Sequence, residues 1–218
     1  MKSLSTYIYL ILSFTLLQSC ASEEKVMHRL EKKKLAVKEK FRSFKISCTK
    51  NQDFSSFYSQ SLTYKVEASF EETWAAYTEL QPKELWAGPL TKYKEGYSKI
   101  DETGYVRKET NAPCPDLGSI YEIKLRVIPL VKFPINFEIT QLSKVNKIME
   151  FTYGGKSPSK GKQTLTFVPK DGYTLIIHDS YFKSGKKLRD QKLYPFFHEK
   201  YLNEFHQNVA SRLKLSKR

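Results

Sequence analysis

The sequence contains no GxSxG, no P-loop and no GxGxxG, so the common nucleophile-elbow, nucleotide and dinucleotide signatures are all missing. Cysteine is scarce. The three in 218 residues form no CxxC pair and no Cys/His cluster at ligand spacing, which argues against a structural zinc site. The four histidines, His28, His178, His198 and His206, do not make up for this. His198 and His206 are eight apart, about 80° around a helix, and not four apart as on a zinc helix. Each histidine reads as a surface or boundary residue, and no metal or cofactor is expected. Long apolar runs are equally few: there is one, at the N-terminus, and nothing else is long enough to span a bilayer. Acidic residues are outnumbered 37 to 23 by Lys and Arg, for a net charge of +14.

What is present begins with that N-terminal run. Lys2 precedes apolar residues from Tyr7 to Leu17, then Leu17-Gln18-Ser19-Cys20. A basic start, a short hydrophobic segment and a small residue before the cut describe a secretory signal. Ending on cysteine, it resembles the lipobox of bacterial lipoproteins. The resemblance implies cleavage before Cys20, lipidation of its thiol, acylation of its new amine, and a place in the bacterial cell envelope facing the periplasm or exterior. On this reading residues 1–19 are the signal peptide. Residues 20–60 are anchor, helix and loop, and 61–218 are the folded domain. About 199 residues then remain, enough for one domain with a real core. Forty per cent apolar and 14 per cent aromatic residues are globular values.

The signal segment holds one cation, Lys2, and no acid, which leaves +13 on the mature chain. Such a charge favours anionic partners. An exported, tethered protein ranks membrane surface and acidic glycan above nucleic acid, which is not expected as a partner. Solvated lysines on a soluble surface are the bland alternative. With Cys20 taken by lipid, Cys48 and Cys114 are free to pair in an oxidising compartment, although sequence does not fix their separation.

From Glu24 to about Phe44, the residues Val26, Leu30, Val37, Phe41 and Phe44 recur at helical spacing. Residues 23–50 carry ten basic and four acidic side chains. Ser22 is the expected N-cap. This basic amphipathic helix lies on anionic lipid, as a second anchoring signal, or packs on the domain with its charges solvated. Residues 45–60 read as a loop. Ser61–Ala68 alternates as a strand, and Ser69 with Glu72 forms a capping box for a helix carrying Phe70, Trp74 and Tyr77. A short second helix follows Pro82, and Gly88-Pro89 stops it. Strands are expected at Tyr105–Glu109, after Gly118, around Phe137, around Phe151, around Phe167 and over Thr174–Phe182. Their alternation means an antiparallel sheet wet on one side. Glu122, Glu138 and Glu150 fall on the polar faces and read as solvated. A last helix opens near Pro195, with Phe197, Tyr201, Leu202, Phe205, Val209 and Leu213 in one stripe.

The order is strand, one or two short helices, five or six antiparallel strands, and a long C-terminal helix. It resembles the START/SRPBCC superfamily over about residues 61–215, an α+β helix-grip fold in which a curved sheet wraps a long helix. The local match is Val66-Glu67-Ala68-Ser69-Phe70-Glu71-Glu72-Thr73-Trp74, with Gly172-Tyr173-Thr174 before the last strand. The N-terminal helix is an addition to the minimal family domain. The resemblance implies a cavity for an apolar ligand between helix and sheet. Its expected lining is Tyr121, Ile123, Phe137, Met149, Phe151, Phe167, Tyr201 and Phe205; the same bulky side chains could instead fill the gap.

Three functions are therefore open. The first is a monomeric, membrane-tethered, non-enzymatic binder or carrier of a lipid-like small molecule. The second is a cyclase- or hydrolase-type cavity enzyme, with His178, Asp179 or Tyr181 as suspects. The third is an envelope interaction module with a filled core.

Overall fold

The structure, a computed structural model, describes residues 24–216 except 108, 110, 111, 129 and 130. The expected signal, the lipid anchor at Cys20 and the Ser22 cap lie outside the described residues. No described helix is long and apolar enough to cross a membrane.

Helix α1 spans residues 24–42. Strand β1 (Tyr58–Val66) leads into α2 (Phe70–Thr78) and α3 (Pro82–Leu85). Seven further strands follow: β2 (Thr91–Ser98), β3 (Thr103–Val106), β4 (Ser119–Ile128), β5 (Val131–Ser143), β6 (Ile148–Tyr153), β7 (Lys160–Lys170) and β8 (Tyr173–Lys183). Helix α4 (Tyr194–Ser216) closes the chain. The strands form one antiparallel sheet in the order β1-β8-β7-β6-β5-β4-β2-β3. Register shifts at Tyr93/Glu95, Arg126/Ile128 and Ile139/Gln141 bend it. The α+β helix-grip class expected from the sequence is the observed one, with eight strands.

Local chemistry sets the elements. Ser69 accepts from the Glu72 N–H at 3.2 Å and Glu72 accepts from the Ser69 N–H at 2.9 Å, so the capping box forms. The inward face of β8, Thr174, Ile176, His178, Ser180 and Phe182, is buried at every second residue. The α4 stripe lies on the concave face, where Tyr201, Leu202, Phe205, Val209 and Leu213 are buried. Phe205 stacks on Trp86 at 4.4 Å. Glu204 ties α4 to the start of β2: it accepts from the N–H groups of Leu90 (2.9 Å) and Thr91 (2.6 Å) and from the Thr91 hydroxyl (2.5 Å).

The convex face is not wholly wet, which corrects the sequence reading. Helix α1 packs across it, with Val37 and Phe41 buried against Tyr97 and Ile120. Its charges reach beneath it. Glu122, read as solvated, is buried and paired with Lys40 and with Lys94 at 2.6 Å. Burial pushes its carboxyl up, but the two lysines outweigh that and hold it below the usual range. Glu138, also read as solvated, is buried and paired with Lys99 at 2.7 Å. Glu150 is half-buried and meets Lys162 at 2.7 Å. Of the two settings weighed for the helix, packing on the domain is the observed one, while Val26 and Met27 at its start stay exposed.

Candidate functional site

A cavity of about 430 Å³ lies between α4 and the β4–β5–β6 part of the concave face. Ile123, Leu125 and Val127 of β4, Phe133, Ile135 and Phe137 of β5, and Phe151 and Tyr153 of β6 supply the sheet wall. Leu193, Tyr194, Phe197, His198, Tyr201 and Leu202 supply the helix wall, and Trp86 closes one side. The volume lies within the ~300–1,000 Å³ range of small-molecule sites. Lys186 and Arg189 border it. Arg189 is held in place by hydrogen bonds to the Pro158 carbonyl (2.8 Å) and the Ser159 hydroxyl (2.7 Å).

Four of the eight residues expected to line a pocket do so: Ile123, Phe137, Phe151 and Tyr201. The other four, Tyr121, Met149, Phe167 and Phe205, are buried in the packed core beside it. Phe167 meets Trp74 and Tyr77 edge to face at 5.3 and 5.2 Å, so α2 fills that end of the grip. The cavity is shifted toward the start of α4, where a widened turn, Arg189–Leu193, precedes the regular helix. Sequence periodicity carries no signal for such a turn.

Polar chemistry at the cavity comes from residues read as boundary histidines. That reading is corrected: His178, His198 and His206 are all buried. His178 shares the inward side of β8, and His198 and His206 flank Leu202 on α4 at i±4. A hydrogen-bonded chain joins two of them to the cavity wall. Tyr194 meets Tyr153 at 2.5 Å, and Tyr153 accepts from the Gln163 amide. His178 bridges Gln163 at 2.7 Å and His206 at 2.9 Å, and His206 meets the Tyr77 hydroxyl at 2.5 Å.

The direction of this chain follows from its members. With one proton on each neutral ring, Tyr77 donates to His206, His206 to His178, His178 to Gln163, Gln163 to Tyr153 and Tyr153 to Tyr194. The reverse order would leave the fully buried Tyr77 hydroxyl without an acceptor. His198 stands apart. The Gln60 amide nitrogen donates to the Pro195 carbonyl at 3.2 Å, so its oxygen faces His198 Nδ1 at 3.0 Å, and that nitrogen bears the proton. The other nitrogen, Nε2, is buried without a partner.

Burial keeps all three rings neutral. It lowers the pKa of His198 and of His206 to about 3. His178 is pushed well below its ordinary value by burial first, then by repulsion from the other two rings. Burial also raises the Tyr77, Tyr153 and Tyr194 hydroxyls, so none is an anion near neutrality.

The remaining suspects are not part of this arrangement. Asp179 and Tyr181 alternate to the outward side of β8. Cys48 and Cys114, read as free to pair, are separate thiols: the buried Cys48 accepts from the Ser47 hydroxyl at 3.7 Å, and the Cys114 thiol donates to the Glu79 carbonyl at 2.8 Å, after α2. No cluster of three metal-ligating side chains occurs among the described residues.

No family model matches the chain, and no curated protein matches it in sequence. Solved structures do. Norcoclaurine synthase from Thalictrum flavum, in complex with a transition-state analogue, superposes with a TM-score of 0.54 at 11% identity, over 74% of this chain and 98% of that one. The ginseng (Panax ginseng) major latex-like protein 151 gives 0.51 at 8% identity, over 72% and 97%. A protein of Nitrosomonas europaea gives 0.51 at 10% identity, over 73% and 96%. Such likeness fixes architecture and not activity: the chain has the helix-grip fold.

Proposed function

We propose that this protein binds an apolar, lipid-like small molecule in the helix-grip cavity and holds or carries it at a bacterial membrane, to which Cys20 tethers it. The observation that carries the reading is the cavity of about 430 Å³ with an almost wholly hydrocarbon and aromatic wall. His198, the histidine in the wall, is neutral, so the interior suits an uncharged apolar body, and the fixed charges are Lys186 and Arg189 at the border. Exposed Phe133 and Leu193 border the same cavity, and apolar groups at a rim suit exchange with a membrane. The tether rests on the lipobox-like sequence alone.

Native mass spectrometry of the purified chain, with organic extraction, tests the binding. The expected result is one class of apolar molecule at about one per chain, displaced when Phe151→Trp narrows the cavity. No co-purified or added apolar molecule bound by the wild type would refute it.

A cavity enzyme is the second reading. The chain of hydrogen bonds from Tyr194 to Tyr77 favours it, because buried tyrosines and neutral histidines can move protons. The polar wall contains no carboxylate: Asp190, the buried acid nearest in sequence, is spent on the Ser184 N–H (2.8 Å) and hydroxyl (2.6 Å). The extraction separates the two readings, since a carrier returns an added molecule unchanged.

A further inference from the structure

The convex side of the β2–β4–β5 end carries positive charge that the fold leaves unneutralised. Lys92, Arg107, Lys124, Arg126 and Lys132 line one depression of about 300 Å³, together with Lys94. Register sets Lys92 directly opposite Lys124, and Arg126 directly opposite Lys132. Like charges facing each other across an antiparallel pair weaken it. The nearby acids are engaged elsewhere. Glu95 and Glu122 are both shared between Lys40 and Lys94, and Glu109 pairs with Lys34. Among the described residues no carboxylate pairs with the five. The Nε–H of Arg126 is buried without an acceptor.

Scattered surface lysines separate and solvate. This arrangement differs, because backbone pairing fixes four cations in two facing pairs around a concave surface. An anion seated there converts both repulsions into attractions.

We propose that this depression binds a phosphate-bearing anion of at least two charges. The guanidiniums of Arg107 and Arg126 supply forked donors that match phosphate oxygens, and Lys92, Lys124 and Lys132 supply point charges. The anion is a soluble phosphate ester or a lipid headgroup, which share this chemistry. The site is independent of the cavity's occupant: Lys124, Arg126 and Lys132 face outward from the hairpin whose Leu125, Val127 and Phe133 face the cavity.

Thermal unfolding of the purified chain in pyrophosphate tests the site, against sodium chloride at equal ionic strength. A rise in Tm of about 5 °C near saturation is expected for a site that binds only the folded state. The variant Lys124→Gln/Lys132→Gln removes one cation from each facing pair. It should melt at or above the wild-type temperature without anion, and lose the pyrophosphate response. The control Lys25→Gln/Lys32→Gln has the same net charge and should keep the response. Equal shifts in pyrophosphate and chloride overturn the proposal, as does a response that the first variant keeps. Cosedimentation with phosphatidylcholine vesicles containing cardiolipin, whose headgroup carries two phosphates, assigns the source. Binding that pyrophosphate competes away points to a headgroup. A Tm response without vesicle binding points to a soluble ester.

Discussion

Lowering the pH from 7.5 to 5 should remove much of this protein's stability, through three imidazoles. His178, His198 and His206 are buried and neutral in the folded chain, with pKa values of about 3 for two of them and well below the ordinary value for the third. In the unfolded chain each returns to about 6.5. A group whose folded pKa lies below its unfolded one takes up a proton on unfolding. Stability therefore rises with pH across the interval between the two values, and is lost as pH falls from about 6.5 toward about 3. At pH 5 His198 and His206 each favour the unfolded state by about 2 kcal/mol, and His178 adds to this in the same direction. A domain of ordinary stability has about 5–15 kcal/mol in all, so acid unfolding should begin near pH 5. Carboxylates add little above pH 5: Glu122 is held low by Lys40 and Lys94, and its contribution is lost only below the ordinary carboxylate value. Urea unfolding followed by Trp74 and Trp86 fluorescence at pH 7.5, 6, 5.5 and 5 measures the effect at constant ionic strength. The variant His198→Asn can keep the N–H donated to Gln60 while removing a titrating ring, and should cut the loss by about 2 kcal/mol. A loss below about 2 kcal/mol between pH 7.5 and 5 would mean fewer than one proton taken up, and would refute neutral burial of the three rings.

Two further perturbations probe how the elements are held. A Cβ added at Gly104 would lie 2.3 Å from the Lys34 carbonyl oxygen and 2.9 Å from the Lys38 nitrogen, both backbone atoms of α1. Gly104→Ala should therefore lift α1, cost about 1–3 kcal/mol in urea unfolding and open α1 to trypsin, and an unchanged midpoint and digest would sink this account. Glu204→Ala would strip acceptors from Leu90 N–H, Thr91 N–H and the buried Thr91 hydroxyl, for a loss of about 3 kcal/mol or more, whereas Glu204→Gln keeps one oxygen and should recover part of it. Equal midpoints for the Ala variant and wild type would show that these bonds contribute nothing net.

How much was legible from the residues depends on whether period survives folding. Strands β4 to β8 alternate cleanly and were readable. Strand β2 was not, although it begins Thr91-Lys92-Tyr93. Its register slips between Tyr93 and Glu95, and Gly96 falls in the paired run, so the alternation breaks where the bulge turns the strand. The cavity wall was half legible. Parity placed Tyr121, Ile123, Phe137, Phe151 and Phe167 on one face, but parity does not say which part of that face α2 fills. The histidines carried a signal that residue type obscured. His178 has the parity of Ile176 and Phe182, and His198 and His206 share the Leu202 side of α4. Their depth follows from partners more than a hundred residues away for His198 and His206, in Gln60 and Tyr77. Helix α1 was readable as a helix, yet its seat was set by a glycine on β3, a tertiary fact without a local mark.

Open and filled cores are not alternatives for this fold. Both occur along one helix, and the sequence of α4 separates them. Past Tyr201 its inward residues, Phe205, Val209 and Leu213, belong to the packed core, where Phe205 meets large partners from α2 and from the residue that ends α3: Tyr77 lies 5.7 Å and Trp86 4.4 Å away. Before Tyr201 neither α2 nor α3 stands opposite among the described residues: the cavity wall across from Leu193 and Phe197 is bare sheet from β4, β5 and β6, while His198 reaches Gln60 of β1. A side chain there has sheet on one side only and leaves volume between. The widened turn at Arg189–Leu193 lies at this end, so cavity, turn and the two bordering cations, Lys186 and Arg189, coincide. Filling the gap with bulk should then raise stability, because each buried apolar group added contributes without displacing a packed neighbour, up to the point of overpacking. A chain that keeps the gap forgoes that stability, a cost that the proposed occupant would offset on binding the folded state.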